Sequence, residues 1–189
     1  MREPILHAWA QTLLFLGLNR HAMRAFRQVV RENPARAEAW SVLGYLHAQN
    51  GEMSEAVPAF ERALALRPDD AGLFFNAGFA AQRAGNHPRA MELMEEAIRL
   101  DAKLDRAWYG LGLSLAHEGR YEEAIARFRE AARLQPFNPY AGYHLAAVLH
   151  KLGRSAEVEK EYLRVKGFDP KVSALMRREF GIHDPDANR

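Results

Sequence analysis

Apolar positions in AWSVLGYLHAQNG (residues 39–51) recur at Trp40, Leu43 and Leu46, the spacing of one helix face, and Gly51 ends the run. In the following SEAVPAFERALALRP, Ala56, Phe60, Ala63 and Leu64 form a second apolar stripe, with Pro68 just beyond it. The two stripes predict a pair of helices joined at Gly51. The pattern then returns every 34 residues. A glycine column reads Gly17, Gly51, Gly85, Gly119, Gly153, and a small-residue column reads Ala10, Gly44, Gly78, Gly112, Ala146. A second small column, Ala22, Ala56, Ala90, Ala124, Val158, stands four residues before the bulky column Phe26, Phe60, Met94, Phe128, Tyr162. The last column is Pro34, Pro68, Ala102, Pro136, Pro170. A small residue on the first helix lets the second approach closely, and the bulky residue of the second fills the space beside it. Each pair leaves apolar surface on both sides, so neighbouring pairs must stack.

Trp40, Leu43, Gly44, Ala56, Phe60, Pro68, and again Trp108, Leu111, Gly112, Ala124, Phe128, Pro136, follow the order W-x2-L-G, A-x3-F, P. In this the chain resembles the tetratricopeptide repeat family, whose period is 34. The resemblance runs through five units, 3–36, 37–70, 71–104, 105–138 and 139–172. It departs at Ala102, at Gly142, and at Leu6 and Trp9 in the first unit. Leu175, Met176 and Phe180 predict a capping helix over 173–181, with 182–189 a flexible tail. The resemblance implies an all-α, right-handed superhelical solenoid of antiparallel helix pairs, with first helices lining a concave surface. It implies non-catalytic binding of a peptide or protein segment, as an adaptor, assembly factor or chaperone-like holder.

First-helix positions outside the packing columns are free to face that groove. One column of them reads His7, Ser41, Phe75, Tyr109, Tyr143, and another reads Gln11, Tyr45, Phe79, Leu113, Ala147. The expected apolar lining is Tyr45, Phe75, Phe79, Tyr109, Tyr140 and Tyr143, because aromatics give large contact area at low entropic cost. The expected polar and basic groups are Asn76, Arg83, Arg106, His117, His144, His150 and Lys151. A variant of the family clamps a terminal carboxylate with Lys, Asn, Asn, Lys and Arg. Its places fall here on Ser41, Tyr45, Asn76, Arg106 and Gly110, of which only Asn76 and Arg106 suit it.

Composition narrows the function. A formal net charge of +2 and thinly spread basic residues do not suit nucleic acid, although the computed pI is near 9.0. Without cysteine there is no disulfide and no thiol chemistry. No histidine pair has i, i+4 spacing, and Ser114 with His117 lacks an orienting acid, so neither a metal or cofactor nor catalysis is expected. The glycines of YGLGLSLAHEG (Tyr109–Gly119) follow no strand and so do not form a phosphate loop. Ile5–Leu18 is too short and too polar to span a membrane and lacks a cleavage signature, which predicts a cytoplasmic protein without membrane insertion. The first unit carries apolar Leu14, Phe15 and Leu16 where its siblings are mostly polar. Ile5, Trp9, Leu13 and Phe15 are therefore expected to form an exposed patch, and a self-associating scaffold, a homodimer through this end, is the alternative function. Residues 1–36 hold six arginines against two glutamates, whereas residues 37–70 hold two against six acids.

Overall fold

The computed structural model describes residues 2–184. These form eleven α-helices and no strand. They are α1 (Arg2–Phe15), α2 (Asn19–Glu32), α3 (Ala37–Gln49), α4 (Met53–Leu66), α5 (Ala71–Arg83), α6 (His87–Leu100), α7 (Asp105–His117), α8 (Tyr121–Leu134), α9 (Pro139–Lys151), α10 (Ser155–Lys166) and α11 (Pro170–Phe180). The chain divides into two compact units, Met1–Asp101 and Ala102–Arg189. In the first, each of α1 to α6 packs on the next, and α3 also touches α5. In the second, α7 to α11 do the same, with α9 also meeting α7 and α11.

The turn inside each pair follows from its glycine. Gly51 has φ +80°, a conformation that side chains with a Cβ resist. There its N–H bonds the Ala48 carbonyl, and the next N–H, of Glu52, reaches back to His47 at 2.9 Å. That 6→1 closure satisfies carbonyls left open at the helix end. Leu18, Asn86, Arg120 and Arg154 close on residues five earlier in the same way. Between pairs, Trp40 and Trp108 each donate the indole N–H to a carbonyl six residues earlier, Pro34 and Ala102, both at 2.9 Å. The tryptophan thereby ties the incoming loop to its helix.

The core follows the columns. Ala22, Phe26, Ala56, Phe60, Ala90, Met94, Ala124 and Phe128 are all at most 2% exposed. Two expectations shift. The capping helix starts at Pro170, not at residue 173. Proline suits a first helical turn, and the Asp169 carboxylate caps it by accepting from the Val172 N–H at 2.9 Å. The segment after it is expected to be a flexible tail over 182–189. There Ile182 bonds the Arg177 carbonyl and Asp184 accepts from Tyr162 and Lys166, while 185–189 lie outside the described residues.

Candidate functional site

In the first unit, four of the residues expected to line a groove come together. Successive helix residues turn by about 100°. On α3 this puts Tyr45, Ala48 and Gln49 on one side and Trp40, Leu43 and His47 on the other. The Tyr45 side meets Phe75, Asn76 and Phe79 of α5 around a pocket of about 340 Å³ floored by Phe60. Phe75 and Phe79 stack with ring centroids 6.3 Å apart. The Tyr45 hydroxyl accepts from the Gln49 amide at 2.7 Å. Tyr45 and Phe79 are 51% and 40% exposed, so both can be covered by a ligand. Asn76 is exposed at the same edge. Arg83 is also exposed, one helical turn beyond Phe79, outside the pocket lining. Sequence reasoning missed Phe60, Ala48 and Gln49. The four-residue spacing of Tyr45 and Gln49 was the available signal.

In the second unit, the aromatics gather around a histidine. The His144 ring lies 5.6 Å from Tyr109, 5.9 Å from Phe128 and 5.0 Å from Tyr143. Burial in this apolar setting holds the imidazole below its ordinary pKa of 6.5. Burial also raises the pKa of the Tyr109 hydroxyl, with a smaller contribution from Tyr140. Tyr109 and Tyr143 therefore meet through His144. Tyr143 is also engaged by α11: it donates to the Glu179 carboxylate, which raises its pKa, and packs 5.6 Å from Phe180. His150 lies 5.4 Å from Phe180. The partners Glu179 and Phe180 had no signal in the repeat, because they belong to the helix outside it. Tyr140 on α9 remains 58% exposed, and Arg106, at the equivalent position of α7 34 residues earlier, is also exposed.

The other expected residues separate. The Lys151 ammonium sits over the Tyr121 ring at the start of α8, 5.5 Å from its centroid, away from the His144 cluster. His117 projects outward against Glu118, whereas Ser114 is fully buried. Among the described residues no group of three histidine or acidic side chains is placed to hold a metal ion, and no helix is long and apolar enough to cross a membrane. At the N-terminal end, Ile5, Trp9 and Phe15 are 73%, 56% and 90% exposed. Leu13 is a correction: it is buried in the core with Ala10 and Phe26, because it lies on the side of α1 facing α2. The arrangement offers apolar stacking surfaces with a few directed hydrogen bonds. It is suited to holding a chain segment.

Comparison with known proteins agrees with this architecture. The family model described as "Cytochrome c-type biogenesis protein H TPR domain" matches residues 18–141, and one described as "Tetratricopeptide repeat" matches residues 115–178. Cellulose synthase operon protein C of Escherichia coli (strain K12) is 37% identical over 70 residues, 36% of this chain and 6% of that protein. The crystal structure of MamA superposes with a TM-score of 0.83 at 20% identity, covering 87% of this chain and 96% of that one. YrrB, described as a repeat protein with an unusual peptide-binding site, superposes with a TM-score of 0.82 at 18% identity, covering 92% and 90%.

Proposed function

Because the chain belongs to the tetratricopeptide repeat family, we propose that it is a non-catalytic interaction module holding a peptide or protein segment against the aromatic faces of its first helices. It then serves as an adaptor, assembly factor or chaperone-like holder, with the five 34-residue units as its framework. The observation carrying this reading is the pocket of Tyr45, Phe75, Asn76 and Phe79 over Phe60. Exposed aromatic rings beside an amide give an anchor for an apolar side chain and a hydrogen-bond partner for the backbone that bears it. Arg106, Tyr109, Tyr140 and Tyr143 offer the same kind of chemistry within the second unit. The cytoplasmic location remains part of the proposal. Its support is that Ile5–Leu18 spans α1 and the turn into α2, and contributes Ala10 and Leu13 to the core.

The test uses Tyr45→Ser combined with Phe79→Ser. Both side chains are substantially exposed, so the melting temperature should move by no more than about 3 °C. Capture of partners from source lysate should fall at least about tenfold. Undiminished capture by a folded double variant would show that the segment is held elsewhere. The second reading, self-association through the N-terminal repeat, is favoured by the exposed Ile5, Trp9 and Phe15.

A further inference from the structure

Within each compact unit an ion pair ties two second helices together, α4 to α6 in the first and α8 to α10 in the second. Arg89 on α6 bonds Glu61 on α4 at 3.0 Å, and Arg129 on α8 bonds Glu157 on α10 at 2.7 Å. These pairs occupy one repeating position, 28 residues apart in each case. The same position between α2 and α4 holds Arg27 and Glu55. They form no ion pair, and Glu55 accepts instead from the neighbouring Ser54 hydroxyl. The seam is open there. It contains a pocket of about 510 Å³ with Val30, Trp40, Leu43, Pro58 and Ala59 as its apolar lining.

Charge says what fits it. Arg27, Arg31 and Arg62 stand around the opening, opposed by Glu55 alone among the acidic lining residues. Arg27 and Arg31 are exposed on one face of α2, in line with exposed Arg20 and Arg24. Arg89, Arg99, Arg129, Arg133, Arg154 and Arg164 each bond a glutamate. Among the described residues Arg27, Arg31 and Arg62 have no such partner. Unpaired guanidiniums around an apolar floor match a ligand with carboxylates beside a bulky apolar side chain. The concavity favours an inserted side chain over the flat contact a membrane makes, and no ladder of exposed aromatics accompanies the arginines, as stacking of bases requires.

We propose that the seam between α2 and α4 is a second docking site, for an acidic peptide segment that places an apolar side chain over Trp40 and Leu43 and carboxylates against Arg27, Arg31 and Arg62. It lies across α3 from the Tyr45–Phe79 pocket and is independent of it. Unit one thus offers two separate surfaces to two segments, which is the geometry an adaptor needs.

Fluorescence anisotropy with three labelled heptapeptides on the full chain tests this: DELFDEL, DESSDES and KKLFKKL. DELFDEL should bind, and its affinity should fall about fivefold or more between 50 and 200 mM salt. Arg27→Glu with Arg31→Glu should weaken it at least about tenfold, and the milder Arg27→Gln with Arg31→Gln should weaken it measurably while keeping the fold. Tyr45→Ser with Phe79→Ser should leave it unchanged, which separates failure of this site from failure of the aromatic groove. The proposal is overturned if wild type does not bind DELFDEL. Equal binding of DESSDES also overturns it, since that reports bare charge attraction. So does retention of DELFDEL by both arginine variants. Tighter binding to a thymidine oligonucleotide, or to vesicles with about 30% phosphatidylserine, lost in the same variants, would assign the surface to nucleic acid or membrane.

Discussion

A Cβ placed on Gly112 would lie 2.7 Å from the ring of Phe128, and one on Gly44 equally close to Phe60. Both rings are buried and rigid, so they cannot yield. Gly78 belongs to the same column, but its neighbours there are Leu93 and the flexible Met94 side chain, at 3.2 Å or more. One column thus contains two different constraints. Gly112→Ala and Gly44→Ala should each cost about 1–3 kcal/mol by overpacking. Gly78→Ala should fall within about 0.5 kcal/mol of the parent, because relief of the helical glycine penalty offsets a small shift of Met94. Urea denaturation of the three variants decides it. Equal losses would mean that ring contact does not govern the column.

At the scale of elements, α9 and α11 hold the second unit's aromatic cluster together. His144 on α9 is kept neutral by burial, while in the unfolded chain it titrates near 6.5. Between the lowered folded value and 6.5 the unfolded chain takes up a proton that the folded chain refuses. The stability contribution is therefore complete above about pH 6.5 and is lost as pH falls through the folded value. Denaturation midpoints measured at pH 7 and pH 5 should drop less in His144→Phe than in wild type; identical drops would place the titration elsewhere. The cap is tested by deletion of residues 170–189. This removes the Tyr143–Glu179 and Tyr162–Asp184 bonds and the packing of α11 on α9 and α10. Burial, and then the bond to Asp184, push the Tyr162 hydroxyl up to about 12. Loss of the cap should lower the melting temperature by about 5 °C or more, since each end of a stack needs a covering element. An unchanged melting curve would make α11 dispensable.

For the whole molecule, the self-association reading turns on the N-terminal end. The positions of Ile5 and Trp9 are filled in the next pair by Ala39 and Leu43, both buried, with α2 packed on α3. Among the described residues no helix covers the corresponding side of α1, which leaves Ile5 and Trp9 in solvent beside the exposed Phe15. Under the self-association reading, light scattering across a dilution series should show a dimer that dissociates on dilution. Trp9→Glu and Phe15→Glu should each shift it to monomer. A wild-type chain that stays monomeric at high concentration would rule the dimer out.

The helix pairs, their turns and their cores were legible in the sequence because each depends on residues within one repeat or on its neighbour. Gly51 must turn, Phe60 must fill the space above Gly44, and the 34-residue period returns the same columns along the chain. Groove candidates could be listed by the same columns, but not sorted. A column states which side of a helix a residue occupies and says nothing of what arrives from another helix. Packing brought Tyr45 to Phe79, turned Lys151 toward Tyr121, drew Leu13 into the core and gave Tyr143 to α11, which lies outside the repeat. Whether Arg27 reached Glu55 was likewise settled only by side-chain positions across two helices. The periodic pattern determined the scaffold, since nearest-neighbour burial is its sole requirement. The tertiary structure decided the sites, because a surface group's availability depends on every helix that packs beside it.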